Sequence, residues 1–347
     1  MLYRLFIRPV LFLFDPESVH YFVVSLLKLA FRVPGIGRMI RSYFSVTDKV
    51  LEKTVFGLKF KNPVGLAAGF DKNAEIYNEL SGFGFSFIEI GTVTPKSQPG
   101  NNRPRSFRLP IDQALINRMG INNDGADAIA SKLRKKSPNV IIGGNISKNT
   151  ITLNINAIDD YKYCFEALYQ VVDYFVLNVS CPNVGDIKEL QDADNLFATT
   201  TLLKEMSEKK PVKKPILLKI SPDLNNSQLD ELIDMAFKTG IDGFVATNTT
   251  IKRERLETDM VKIEKIGKGG LSGKPLKERS TEIIRYLVQK SGGKIPVIGA
   301  GGIIDADDAI EKLNAGASLV QVYTGFVYTG PSIVSKINKA IVNSLRS

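Results

Sequence analysis

Between residues 64 and 323 the chain repeats one pattern eight times, a brief apolar run followed by a helical segment. The runs are 64-68, 86-91, 140-145, 174-179, 215-220, 242-247, 295-299 and 318-323. Several of them, such as "VIIGG", "YFVLNV" and "PILLKI", are nearly continuous in aliphatic or aromatic residues instead of alternating with polar ones. Parallel strands covered on both faces read this way, and they need helical crossovers of the kind found between the runs. Eight such units over roughly 280 residues predict an α/β fold closed into a (β/α)8 TIM barrel. The alternative is an open, doubly wound sheet, which usually has fewer strands.

A barrel of this kind does its chemistry at the C-terminal ends of its strands. The first run is followed by "AAGFDKN" with Lys72, the second by "GTVTP", and the third ends at Asn145 with Lys148 beyond it. The fourth leads into "NVSCPN", which holds Asn178, Cys181 and Asn183, and the fifth carries Lys219. The last three give "TNTT", "GAGG" and "YTG". An asparagine offers both a donor and an acceptor, so several at one mouth suit a planar ligand edged with amide and carbonyl groups. Any one of them could instead cap a turn, but their shared address after separate strands argues for a site. Gly301, Gly302 and Gly325 follow the last two strands, where barrels commonly hold a phosphate on backbone N–H groups. A phosphate-bearing cofactor is the expected occupant.

Composition narrows the chemistry. A formal charge of +10 and a pI near 9.3 would suit nucleic acid, an anionic membrane or anionic small ligands. Without tryptophan, and without a basic run interleaved with aromatics, the nucleic-acid option falls away. Two cysteines, Cys164 and Cys181, cannot build a disulfide framework, and nothing resembles a secretion signal, so a reducing, cytosol-facing setting is expected. With a single histidine, His20, no Cys/His metal cluster is possible, and proton transfer falls to Cys, Lys, Asp, Glu or Tyr. Cys181 is the one candidate with a suitable address, although a free cysteine is commonly a small buried hydrophobe. Two tempting motifs fail: "GGLSGKP" has Pro275 where a phosphate loop needs Ser or Thr, and "GAGGII" lacks the last glycine of a dinucleotide fingerprint.

Residues 1–45 form a separate front segment ahead of a barrel over 46–347. "MLYRLFIRPVLFLF" is apolar apart from Arg4 and Arg8. Asp15 then caps, and Pro16 opens, a second helix that ends at the cluster Val33-Pro34-Gly35-Ile36-Gly37. Neither helix reaches the roughly 20 apolar residues of a spanning segment. Rimmed by Arg4, Arg8, Lys28, Arg32, Arg38 and Arg41, the pair reads as an amphipathic hairpin lying on an anionic bilayer. The alternative is a helical cap on its own domain.

The mouth residues, taken in order, resemble the dihydroorotate dehydrogenase family, flavoproteins that oxidise dihydroorotate to orotate in pyrimidine synthesis. The resemblance rests on "NPVGLAAGFDKN", "EIGTVTPKSQPGN", "RPRSFRLP", "LINRMGINN", "NVSCPN", "LLKISPDL", "ATNTT", "GGLSGKPL", "IGAGGI" and "GASLVQVYTGF", which span nearly the whole barrel. So many motifs in one order make it highly specific. The front segment, with "LFDPESVH", is similar to the extension of the membrane-associated, quinone-reducing class 2 enzymes, which the soluble classes lack.

The resemblance implies FMN across the mouth, held by Ala67, Ala68, Gly69, Thr92, Asn145, Asn178, Lys219, Thr247, Ser272 and Gly273. Its phosphate would rest on Gly301, Gly302, Tyr323 and Thr324. Lys219, as a cation at the flavin's N1/O2 edge, would offset the charge that arrives with hydride. Dihydroorotate would be gripped by Lys72, Asn117, Arg118, Met119, Gly120, Ile121, Asn178, Asn183, Asn248 and Thr249. The resemblance makes Cys181 the general base, a position usually held by serine in the quinone-linked class and by cysteine in the soluble class 1 enzymes. It also implies a quinone passage with His20 and Arg108 at its inner end and Tyr323 and Val327 along its wall. A peripheral location on the cytoplasmic face of a bacterial cell membrane follows. The cysteine leaves a soluble, fumarate- or NAD-linked class 1 type enzyme as the rival, and a non-catalytic flavin- or nucleotide-binding module as the rival outside enzymes.

Overall fold

In a computed structural model, which describes residues 2–135, 140–179 and 190–346, the eight runs become eight parallel strands. They are β1 (Val64–Leu66), β2 (Phe87–Val93), β3 (Ile141–Ile146), β4 (Tyr174–Asn178), β5 (Ile216–Ile220), β6 (Gly243–Ala246), β7 (Val297–Ala300) and β8 (Leu319–Val322). They close into a barrel when β8 pairs with β1, Val320 opposite Val64. The closed barrel expected from the repeat is therefore present, and the open sheet is excluded.

Side chains fill the barrel. Phe87, Tyr174, Val176, Leu217, Val245, Ile298 and Leu319 form one buried cluster, and an antiparallel hairpin, Lys53–Val55 with Leu58–Phe60, adds Val55 and Phe60 to it. Two of the glycines inside strands are explained by those rings. A Cβ on Gly65 would lie 2.3 Å from the Phe87 ring, and one on Gly143 would lie 2.2 Å from the Tyr174 ring. The outer layer packs strands against helices around Ile88, Phe165, Phe175, Leu218, Phe244 and Val320.

Two excursions at the mouth have no counterpart in the repeat. Ser106–Leu109, Ala114–Asn117 and Gly270–Gly273 form a three-stranded antiparallel sheet, while Lys96–Gln98 pairs with Asn123–Gly125. The first of these sets Asn117 opposite Gly270.

The front segment contains more helix than a simple pair. Its first stretch divides into Tyr3–Ile7 and Arg8–Phe12, and Pro16–Ala30 follows with the Asp15 carboxylate accepting from the Ser18 N–H at 2.8 Å. A further helix, Ile36–Phe44, starts just after Gly35. The Val33–Gly35 turn breaks the chain direction, but Gly37 sits inside the new helix instead of ending the old one.

The segment is anchored to the barrel by a buried ion pair. Glu17 Oε2 accepts from Arg105 Nε at 3.0 Å, and its Oε1 from Arg105 Nη2 at 2.7 Å and Arg103 Nη2 at 3.1 Å. Arg105 Nη1 also donates to the Pro99 and Asn101 carbonyls at 2.7 and 2.8 Å. Burial by itself would raise the Glu17 carboxyl, but the hydrogen bonds and charge of Arg105, with help from Arg103, outweigh it and hold the group below the usual carboxylate range. Val24 is buried, Leu27 and Phe44 pack against the core, and the Tyr3 hydroxyl donates to the Val327 carbonyl at 2.6 Å.

Replacing Glu17 with glutamine leaves Arg105 as an uncompensated buried charge, so Glu17→Gln should cost about 3 kcal/mol. Hydrogen exchange over Pro16–Ala30 should accelerate accordingly. In the unaltered protein the Glu17 carboxyl lies below its unfolded value. Its contribution should therefore be complete above the ordinary carboxylate pKa of about 4.3 and be lost as pH falls through the lowered one.

Candidate active site

The floor of the mouth is built around a carboxylate inside the barrel. Glu89 of β2 is fully enclosed, and three strands send donors to it. Asn145 Nδ2 from β3 donates to its Oε1 at 2.7 Å, Gln321 Nε2 from β8 donates to its Oε2 at 2.6 Å, and Lys219 Nζ from β5 lies 3.5 Å from Oε1. Bonds of this kind keep a buried charge in place. Above this floor, Asn145 Oδ1 accepts from Thr92 Oγ1 at 2.5 Å, and Thr92 Oγ1 accepts from Asn178 Nδ2 at 2.9 Å. Asn178 Oδ1 in turn accepts from Asn248 Nδ2 at 3.2 Å.

On the β7–β8 side, Gly301 (φ +107°) and Gly302 (φ +77°) turn their backbone in a conformation that side-chain-bearing residues rarely adopt. A Cβ on Gly302 would strike Lys277 Cα at 2.2 Å, so the loop sits directly on the start of the Lys277–Lys290 helix. Ser272 Oγ lies 2.9 Å from Thr324 Oγ1, beside Gly273, and Tyr323 OH donates to the Gly69 carbonyl at 3.5 Å.

On the opposite side, Lys72 Nζ donates to Asn122 Oδ1, and Asn117 Nδ2 donates to the Gly270 carbonyl at 3.4 Å. One cavity of about 590 Å³ is lined by Lys72, Asn117, Met119, Gly120, Ile121, Asn178, Asn248 and Thr249, by Ala67, Ala68, Gly69, Thr92, Lys219 and Thr247, and by Ser272, Gly273, Gly301, Gly302, Tyr323 and Thr324. Two of the residues anticipated for the site do not line it. Asn145 is fully enclosed beneath the mouth, below Thr92. Arg118 turns away: it donates to the carbonyls of Ile266, Lys268 and Pro104 and stacks over the Phe107 ring at 4.7 Å, stapling the excursion to the 266–268 loop. Cys181 and Asn183 lie outside the described residues.

The cavity continues past the mouth into the front helices, where His20, Arg108, Tyr3, Leu11, Val23, Leu27, Phe70 and Val327 line it. The His20 ring meets Phe70 edge-on at 5.1 Å, and Phe70 meets Tyr323 at 5.7 Å. Arg108 lies 4.5 Å from the centre of the Phe12 ring and donates to the Phe14 carbonyl at 2.6 Å. Desolvation, aided by the charge of Lys72, lowers His20 to about 4, and desolvation lifts Tyr323 to about 12. At neutral pH the passage therefore presents an uncharged imidazole and an uncharged phenol, beside the Arg108 guanidinium.

Several of these residues lie within the quoted motifs but are given no role there: Glu89 and Gln321 in the floor, Asn122 beside Lys72, Phe70 in the passage and Glu17 in the anchor. Glu89 did carry a signal, because a glutamate within "FIEIG" is a charge inside an otherwise apolar strand. The others carried none.

Fold and site together define a (β/α)8 barrel enzyme whose polar, glycine-edged mouth shares one cavity with an apolar antechamber. Residues 50–345 match the family model described as dihydroorotate dehydrogenase. The chain is 55% identical to the dihydroorotate dehydrogenase (quinone) of Christiangramia forsetii over 98% of its length and 99% of that protein. It is 46% identical to the protein of the same name from Gloeobacter violaceus, over 99% and 95% of the two chains. Among solved structures, that of DHODH from Eimeria tenella in complex with ferulenol superposes with a TM-score of 0.84 at 35% identity, covering 96% of this chain and 92% of that one. The chain belongs to the dihydroorotate dehydrogenase family.

Because His20 is the only histidine, its imidazole can be followed by NMR without assignment. Its resonances should stay constant from pH 8 down to pH 5 and titrate with a midpoint at about 4. A midpoint near the ordinary 6.5 would show that the passage is wet.

Proposed function

We propose that the protein oxidises (S)-dihydroorotate to orotate, with FMN as hydride acceptor and a membrane quinone as final electron acceptor, in de novo pyrimidine (UMP) biosynthesis. The observation that carries this reading is the single cavity joining the asparagine- and lysine-lined mouth to an apolar passage between the front helices. Such a cavity suits a polar substrate at one end and a greasy acceptor at the other.

The residues present fit FMN. The Gly301–Gly302 loop turns at positive φ and lines the cavity, so its backbone N–H groups, with Tyr323 and Thr324, would hold the phosphate. Ala67, Ala68, Gly69, Thr92, Asn178, Lys219, Thr247, Ser272 and Gly273 would hold the rest, with Asn145 acting through Thr92. FMN, when bound, supplies the acceptor for hydride leaving C6 of the substrate and delivers the electrons to quinone. Lys219 places a cation where negative charge accumulates. Lys72 opposes the substrate carboxylate, and Asn117, Asn178, Asn183, Asn248 and Thr249 read the polar edge of its ring. Cys181 takes the C5 proton, since a thiol with a reference pKa of about 8.5 exchanges protons near neutrality far more readily than a hydroxyl.

The front helices present the membrane face. Leu2, Leu5, Phe6, Val10, Leu13, Phe14, Phe22, Leu26, Leu29, Met39 and Tyr43 are exposed, with Leu13 at 82% and Tyr43 at 80%. Among the described residues no helix is long and apolar enough to cross a membrane. Arg8 donates to the Tyr328 carbonyl and Lys28 pairs with Glu75, but an exposed apolar segment that also carries Arg4, Arg32, Arg38 and Arg41 suits the surface of an anionic bilayer, and we place the protein on the cytoplasmic face of a bacterial cell membrane.

Stopped-flow reduction of bound FMN by dihydroorotate tests the base. Cys181→Ala should slow it on the order of 10²- to 10⁴-fold. In the unaltered protein the rate should fall as pH drops, and more steeply than in a serine-bearing relative. Vesicle flotation tests the face: Leu13→Asp with Phe14→Asp should abolish binding to anionic vesicles and leave flavin reduction by dihydroorotate at the parent rate.

A further inference from the structure

Among the described residues, a chain of side-chain hydrogen bonds beneath the mouth runs in one direction. Asn248 Nδ2 donates to Asn178 Oδ1 (3.2 Å), Asn178 Nδ2 to Thr92 Oγ1 (2.9 Å), Thr92 Oγ1 to Asn145 Oδ1 (2.5 Å), and Asn145 Nδ2 to Glu89 Oε1 (2.7 Å). At the far end, Asn248 Oδ1 accepts from the Thr249 N–H at 2.9 Å. An asparagine amide can be turned either way at little cost unless a neighbour forbids it. Here the neighbour is an ionised carboxylate, which only accepts. Were Asn145 reversed, its carbonyl oxygen would face a carboxylate oxygen, and Thr92 would meet amide nitrogens on both sides with neither able to accept its O–H. The second oxygen of Glu89 is taken by Gln321 Nε2 at 2.6 Å, and Lys219 Nζ stands 3.5 Å from the first. A glutamine at position 89 has one accepting oxygen and one donating nitrogen, so it cannot accept from both Asn145 and Gln321. Only a carboxylate terminates the chain in this direction.

We propose that Glu89 is a positioning residue whose charge, relayed through Asn145, Thr92, Asn178 and Asn248, fixes which end of each mouth amide faces the ligands, and also sets the electrostatic balance of Lys219 under the cofactor. The proposal rests on the reading that this mouth holds FMN and dihydroorotate. It gives a physical reason for a buried glutamate whose desolvation would otherwise be a pure cost. The amides that must recognise the polar edge of a planar ligand are set before the ligand arrives.

The test is the Glu89→Gln variant, alone and combined with Asn145→Asp. The single variant should raise the FMN dissociation constant of the apoprotein, read by flavin fluorescence, by about tenfold, the scale of one lost charge-assisted hydrogen bond. The orotate dissociation constant of the FMN-loaded protein should rise similarly. The midpoint potential of its bound FMN should shift positive, because a negative charge beneath the site has been removed. In the double variant the carboxylate introduced at position 145 accepts from Thr92 and from the amide introduced at position 89, whose own oxygen accepts from Gln321. The original direction therefore returns, and most of both affinities should return with it. A single variant with parental affinities and potential would overturn the proposal. So would a double variant no better than the single one, since shape instead of direction would then be what matters.

If Glu89→Gln does not fold, Thr92→Val cuts the chain above Asn145 and leaves all partners of Glu89 intact. Its orotate dissociation constant should rise about tenfold, and an unchanged value would overturn the proposal. Unaltered protein that takes up no FMN would sink the functional reading itself, whereas unaltered protein that holds FMN beside an indifferent Glu89→Gln would sink only this inference.

Discussion

An ionised carboxylate in the middle of an apolar barrel is tolerable only if donors converge on it, and Glu89 imposes that condition on the whole mouth. It draws Asn145 from β3, Lys219 from β5 and Gln321 from β8 to one point. Its bonds lock four of the eight strands to a common centre just where the apolar filling of the barrel gives way to polar chemistry. Beneath this point lie Phe87, Tyr174 and Leu217, and above it lie the amides and the glycine loop. The boundary between structure and site is therefore a single layer of hydrogen bonds.

A second buried ion pair does for the front helices what the first does for the mouth. Glu17 and Arg105 fasten a segment whose remaining surface is largely apolar and exposed, so it can meet a bilayer without leaving the barrel. The cavity passes between the two anchored parts. Its chemical character changes along the way, from amides and lysines to aromatic and aliphatic walls, with neutral His20 and Tyr323 at the transition. An enzyme that takes electrons from a water-soluble acid and hands them to a lipid-soluble acceptor needs this change of solvent over a short distance.

The barrel was legible because parallel strands buried on both faces leave a local trace. The run read as 174-179 is Tyr174–Asn178, and that read as 86-91 is Phe87–Val93. The mouth excursions were not legible, because Ala114–Asn117 pairs with Gly270–Gly273 across more than a hundred residues and neither strand shows its partner locally. The same holds for Gln321, whose partner Glu89 is 232 positions away. Arg118 was misplaced for a related reason: its neighbours Asn117 and Met119 line the cavity, but the backbone turns its own side chain toward the 266–268 loop. The Ile36–Phe44 helix was hidden by its glycines, which mark a helix stop at Gly35 and are simply tolerated at Gly37.

If one cavity joins a dihydroorotate site to a quinone passage, the choice of electron acceptor in steady-state oxidation of dihydroorotate reveals it. The purified flavoprotein should turn over rapidly with a ubiquinone or menaquinone analogue and scarcely at all with fumarate or NAD. With a preference for fumarate or NAD, Cys181 would instead mark a class 1 type enzyme, and the front helices would serve only as a structural cap.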